Sequence, residues 1–343
     1  MEHRDEPPRH PGWVWLRRFW GAVGVLLLTG IATLAWLGPP SPVAEDPAVS
    51  AAMPSQTASR PEAGRTEGPR ADLPVAFAAL ADPALLEASR HGPLPRIGPD
   101  GRTPIRAYGR AFDRADPRPR VALVLGNLGM NAALSEQAIQ RLPAEIGLAF
   151  SPYAQRPLPL VERARERGFE VLVALPLEPS GFPMNDPGEQ ALLTGLPWAR
   201  NADRLDWSLS RVAGYVGAIG ATGPMRGERF AAQTDFFLQM QEVLSRRGLL
   251  YLDARPGAPS PTRVWGRAVD VVVDDPPTRD SIERALILLE RLARERGAAL
   301  GYAGEAAPVT LERLASWAAG IEGRGVVLAP PSALIRRPEA AQR

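Results

Sequence analysis

The chain contains no cysteine, no lysine and only three histidines in 343 residues. Without cysteine there is no disulfide framework, no thiolate-bound zinc or iron–sulfur cluster, and no thiol nucleophile. Without lysine there is no Schiff-base amine and no P-loop lysine, and all 40 basic residues are arginine. Aromatic residues are sparse, at 6%, and the formal net charge is only +2, too even a balance for a protein built around nucleic acid. His3, His10 and His91 all lie early in the chain, ahead of anything with a globular pattern. An Ala-, Pro- and Arg-rich composition of this kind fits a GC-rich coding sequence better than a particular function.

From Phe19 to Leu37 no residue is charged, and about 20 apolar residues suffice to cross a hydrocarbon core as a helix. Trp20 and Trp36 stand near its ends, where their rings suit the headgroup layers, and Arg4, Arg9, Arg17 and Arg18 precede it. The positive-inside rule then puts residues 1–18 in the cytoplasm as a tail, and everything after Leu37 outside. A cleaved signal peptide is the rival, but Leu37-Gly38-Pro39-Pro40 makes a poor cleavage site. Residues 38–75 read as a disordered Pro/Ala-rich linker. Residues 76–117 read as a pre-domain segment, with a short helix in ALADPALLEAS (79–89) and a turn at GPDGR (98–102). The globular domain is expected over 118–335, with 336–343 as a C-terminal tail. The implied location is the inner membrane, single-pass, with the domain in the periplasm.

After residue 118 short, fully apolar runs alternate with amphipathic helical patterns. The runs are VALVL, IGLAF, VLVALPL, YVGAIG, LLYLD, VDVVVD, AALGY and GVVLA. Apolar strands separated by helices argue for a parallel sheet covered on both faces. About seven such strands predict an α/β fold that closes into a deformed (β/α) barrel, whose functional residues belong at the C-terminal strand ends. Those ends carry Gly126 and Asn127, Ser151 and Tyr153, Glu178, Gly220 and Ala221, Asp253 and Arg255, Asp274 and Asp275, and Tyr302. None is a histidine.

Three blocks carry a family resemblance: LPLEPSGFPMNDPGEQALLTGL (175–196), RRGLLYLDAR (246–255) and VVLAPPSAL near the end. They resemble the divergent polysaccharide deacetylase family, over about residues 118–335. The resemblance implies a deformed (β/α) barrel, a cell-envelope location and metal-dependent removal of acetyl groups from a glycan, with a divalent ion such as zinc. Against that pattern this chain departs wherever a metal ligand is expected. Two aspartates are replaced by Gly126 and Asn127; histidines are replaced by Ala174, by the Gly220-Ala221 block and by Tyr302. A hydrolytic metal needs about three protein ligands and an open position for water. The expectation is therefore a degenerate site that holds no metal.

The remaining polar residues admit two readings each. Glu178 is either a surviving acid or a carboxylate that receives backbone N–H groups in its Pro-x-Glu-Pro turn. Asp253 and Arg255 either meet a glycan or form an internal ion pair. A carboxylate-pair glycosidase using Glu178 and Asp253 requires one of two defined carboxyl separations. Asp253, Asp274 and Asp275 as a Ca²⁺ or Mg²⁺ site have no loop motif behind them, and capping of the next helix by Asp280 or Ser281 explains the acidic pair at 274–275. Asn185 and Asp186 read first as a turn. Tyr153, Trp198, Trp207 and Phe182 offer rings for sugar stacking, with Trp207 placed in a core helix. The expected function is a membrane-anchored envelope protein with a catalytically impaired deacetylase-like barrel that binds an envelope glycan or an envelope protein. The alternative is an active carbohydrate hydrolase.

Overall fold

A computed structural model describes residues 18–23, 29 and 81–338 of the chain. Residues 18–23 are helical. The rest of the 19–37 run apart from residue 29, the linker at 38–75 and the chain beyond 338 lie outside the described residues. Among the described residues no helix is long and apolar enough to cross a membrane.

The described domain begins with a small antiparallel pair, β1 (Leu86–Glu87) and β2 (Leu94–Pro95). The helix expected over 79–89 is not there. Pro83 opens a single 3-10 turn, capped by the Asp82 side chain on the Ala84 N–H, and the chain then extends into β1. The turn at 98–102 forms, closed by the Gly101 N–H on the Gly98 carbonyl at 2.9 Å. A short helix α1 (Pro104–Tyr108) follows, with Thr103 as its cap.

The barrel is built from β3 (Arg120–Leu128), α2 (Ala132–Arg141), β4 (Gly147–Phe150), α3 (Leu158–Glu166), β5 (Val171–Ala174), α4 (Trp198–Leu209) and β6 (Gly217–Ile219). It continues with α5 (Glu228–Ala232), α6 (Thr234–Arg246), β7 (Leu250–Asp253), β8 (Gly266–Ala268), β9 (Val271–Val272), α7 (Arg279–Arg296), β10 (Ala298–Ala303), α8 (Pro308–Gly320) and β11 (Val327–Leu328). The nine-stranded sheet runs β8-β7-β6-β5-β4-β3-β10-β9, with β11 beside β3. Every pairing in it is parallel.

The two edge strands are consecutive in the chain. Only Val269 and Asp270 separate β8, which pairs with β7, from β9, which pairs with β10. One extended segment thus bridges both ends of the curved sheet. Eight of the nine strands are the apolar runs read from the sequence and β8 is the addition; with β8 and β9 counted as one staggered strand the barrel has eight, against about seven expected. The apolar runs are buried on both faces because helices cover the outside while Leu172, Leu250, Leu252, Leu300 and Tyr302 fill the inside. The barrel is a packed core, not a pore.

Candidate functional site

At the C-terminal end of β3 the pairing with β4 skips from Leu125 to Leu128. Such an irregularity bends a strand and re-aims its side chains. Asn127 sits in it with φ +55°, a left-handed conformation that asparagine tolerates better than most residues. Its neighbour Gly126 is buried under Tyr302: a β-carbon at position 126 would lie 2.5 Å from the Tyr302 hydroxyl oxygen. That phenol is fully buried and donates to the Gly223 carbonyl at 2.9 Å. Burial pushes its pKa well up, so the hydroxyl stays protonated.

Ala174 and Ala221 join Tyr302 in one apolar cluster inside the barrel, each no more than 1% exposed. Gly126, Ala174, Ala221 and Tyr302 therefore meet at the same end of the cylinder. This set does not fit a divalent metal. Glycine and alanine bring no lone pair, and the one phenol present is protonated and already bonded to a carbonyl. Among the described residues no three His, Cys, Asp or Glu side chains are grouped closely enough to share an ion. The described histidine, His91, precedes the barrel strands in sequence and is pinned by Nε2 at 2.5 Å to Asp203 on α4.

What the mouth does present is a set of uncommitted polar groups. A β-carbon on Gly223 would lie 3.8 Å from the Asn127 amide nitrogen and 3.3 Å from a Glu305 carboxylate oxygen, so both side chains approach one point. Among the described residues neither side chain has a hydrogen-bond or ion-pair partner. Beside them the Thr222 hydroxyl is buried and also without a partner. Buried hydroxyls are nearly always bonded, so an orphan of this kind marks a place for a ligand or water. Glu305 is held by Asp274, whose carboxylate receives the N–H groups of Gly304 at 2.8 Å and Glu305 at 3.0 Å. Burial raises the Asp274 pKa while those two bonds oppose it.

Glu305 and Thr222 carry no motif that marks them in the sequence. The available signal was position alone: both follow the ends of barrel strands, Thr222 after β6 and Glu305 after β10.

A cavity of about 470 Å³ opens between the loops after β5 and β6, with Pro224, the residue after Gly223, in its wall. Asn185, Asp186, Arg226 and Glu228 line it. Asn185 and Asp186 also make the turn expected of them, with the Asp186 carboxylate on the Gly188 N–H at 2.9 Å. Arg226 reaches Asp275 at 3.2 Å across the mouth.

The other expected site residues are spent internally. Glu178, buried, receives the Thr194 N–H and the Arg229 guanidinium at 3.0 Å, and so clamps its loop. Asp253 is gripped from two sides by Arg255, at 2.9 and 2.6 Å, and Arg255 in turn lies over the Phe237 ring. Both members of the Glu178 and Asp253 pair considered for a glycosidase are thus engaged by an arginine. Asp253, Asp274 and Asp275 have separate partners and form no cation site. The cap of α7 is Thr278, not Asp280 or Ser281. Tyr153 packs on Trp207, centroids 5.4 Å apart, and accepts the Gln190 N–H through its hydroxyl at 3.1 Å. Its pKa is pushed up to about 12 by burial. It is a brace for the loop after β5, and Trp198 packs on Phe236 in the same manner.

Residues 123–335 match the family described as divergent polysaccharide deacetylase. Among solved structures, an uncharacterized protein from Agrobacterium tumefaciens C58 shares 34% identity, with a TM-score of 0.66 over 70% of this chain and 98% of that one. The catalytic domain of a peptidoglycan N-acetylglucosamine deacetylase from Eubacterium rectale ATCC 33656 shares 11% identity, with a TM-score of 0.44 over 65% of this chain and 92% of that one. No curated protein matches the chain.

Proposed function

The chain belongs to the divergent polysaccharide deacetylase family, and on that premise we propose that it is a glycan-recognition protein that has lost metal-dependent deacetylation. The observation that carries this reading is the seating of Tyr302 over Gly126. Where the family pattern expects metal ligands, this chain packs the Tyr302 phenol against Gly126, with Ala174 and Ala221 in the same apolar cluster. No step of a hydrolysis is assigned to it.

Recognition rests on what the mouth keeps. Asn127 supplies a donor and an acceptor, and Glu305 a carboxylate. The cavity beside them adds Asn185, Asp186 and Arg226. A mixed set of donors and acceptors around a shallow cavity suits a polyhydroxylated ligand better than an apolar one. The ligand class is an envelope glycan, and the segment at 19–37 would hold the protein in the inner membrane with the barrel on the periplasmic side.

Calorimetry of the full chain with N-acetylated and de-N-acetylated oligosaccharides tests the reading, alongside an acetate-release assay. Binding that is lost in Asn127→Ala and Glu305→Ala, with unfolding midpoints unchanged and no acetate released, supports it. Stoichiometric zinc together with zinc-dependent acetate release overturns it.

A further inference from the structure

We propose that the floor of the barrel, the end opposite the candidate site, docks on an anionic lipid surface. The observations come from the segment that crosses that floor. Residues 96–120 carry seven Arg against three Asp, in a chain whose net charge is only +2. Most of these arginines are occupied: Arg102 pairs with Asp82, Arg110 with Glu145 at 2.7 Å and Arg118 with Asp116 at 2.7 Å. Two are not. Among the described residues the guanidinium groups of Arg106 and Arg114 meet no partner, and both side chains are exposed.

These two line a cavity of about 750 Å³ together with Phe112, Ile97 and Trp265. Ile97 is 40% exposed and Trp265 43%. Trp265 immediately precedes β8, and Gly248 and Leu249 on the same wall precede β7, so the cavity opens at the N-terminal strand ends. An aromatic and an aliphatic side chain flanked by unpaired guanidiniums is the pattern that suits the headgroup layer of a membrane.

The covalent path of the chain selects this occupant. The domain begins beside the same wall: the Asp82 N–H donates to the Tyr108 hydroxyl at 3.0 Å, and Tyr108 ends α1, which lines the cavity. Residues 38–80 lie between that point and the apolar run at 19–37. Its Pro- and Ala-rich composition is that of a spacer, so a membrane holding the run would tether the barrel through a segment that joins it at the floor. This step rests on the anchoring proposed above. Docked in this way, the barrel turns its glycan mouth away from the bilayer.

The absence of cysteine makes the test clean. Ala111→Cys on the floor and Met184→Cys on the mouth loop, each exposed, take a fluorescent label in the full chain. The chain is then reconstituted into vesicles of phosphatidylcholine alone or with phosphatidylglycerol, both containing spin-labelled lipid. The expected result is quenching at position 111 but not at 184, dependent on phosphatidylglycerol. Arg106→Glu with Arg114→Glu should reduce the ratio of docked to undocked protein by roughly fivefold per guanidinium, with the unfolding midpoint unchanged. Equal quenching at both positions, or quenching indifferent to lipid charge and to the paired substitution, overturns the docking surface. Failure of the chain to float with phosphatidylcholine vesicles overturns the anchor instead, and charge-dependent quenching at position 111 then remains the measure of docking.

Discussion

The Glu178 carboxylate lies 3.0 Å from the Arg229 guanidinium and at the same time receives the Thr194 N–H. Removing it in Glu178→Ala leaves a loop N–H without its acceptor, which costs about 1–3 kcal/mol. Because Arg229 is half-exposed, the ion pair itself adds little. Urea unfolding should show the loss while oligosaccharide affinity is retained. A variant of full stability with abolished turnover would instead make Glu178 an acid catalyst.

The contact between Tyr302 and Gly126 is testable as a pair. Gly126→Ala places a methyl 2.5 Å from the hydroxyl oxygen and 3.0 Å from two ring carbons, and overpacking of this kind costs about 1–3 kcal/mol. Tyr302→Leu shortens the opposing side chain. The double variant should then be less destabilised than the sum of the single ones, by a coupling of about 0.5–3 kcal/mol. Strict additivity in denaturant unfolding would mean that the two positions do not share the space.

Divalent metals should leave the protein indifferent. A site occupied at a hundred times its dissociation constant adds about 2.7 kcal/mol of stability. Zinc followed by EDTA is expected to leave the unfolding midpoint of the full chain where it began. A reversible rise on zinc addition, lost in Asn127→Ala, would restore a metal role to the mouth.

Stability should also carry a pH signature from the floor. Glu170 is fully buried, and burial raises its pKa against the bonds it receives from Ser332 and the Arg110 N–H. Between the ordinary glutamate value and the raised native value, the folded chain holds a proton that the unfolded chain has released. Stability then falls as pH rises through that window and is flat above it. Measured against Glu170→Gln, which does not titrate, the difference should decline with pH over that range. A difference that grows with pH would place Glu170 in a charge-stabilising environment.

The order of elements was legible because each strand is an unbroken apolar run and each helix has a periodic apolar face, which are local properties. The 3-10 turn at Pro83 was not, since ALADPALLEAS has helical composition and the pairing of Leu86 with Pro95 overrides it. β8 hides in VWGRA because its burial comes from Tyr251 and from the bridge between Gly266 and Arg336, neither of them near in sequence. At the mouth the substitutions at 126, 174, 221 and 302 were visible as departures from a pattern. Glu305 and the orphan Thr222 hydroxyl were not, because only the fold brings Gly223 beside Asn127 and Glu305. The Asp253–Arg255 ion pair was legible as one of two readings of the pair, and the rotamer of Arg255 selects it.

The seating of Tyr302 on Gly126 also sets an order on change over evolutionary time. An aspartate at position 126 cannot be accommodated while the phenol is there, so that substitution alone would be counter-selected as a packing defect. Residue 302 must shrink first, and that step sacrifices the bond to Gly223 before any metal ligand has been gained. Two neighbouring alanines, at 174 and 221, would still have to acquire side chains inside a filled barrel. A change to a metal-binding barrel thus runs uphill at its first step, and the present packing is a barrier to it.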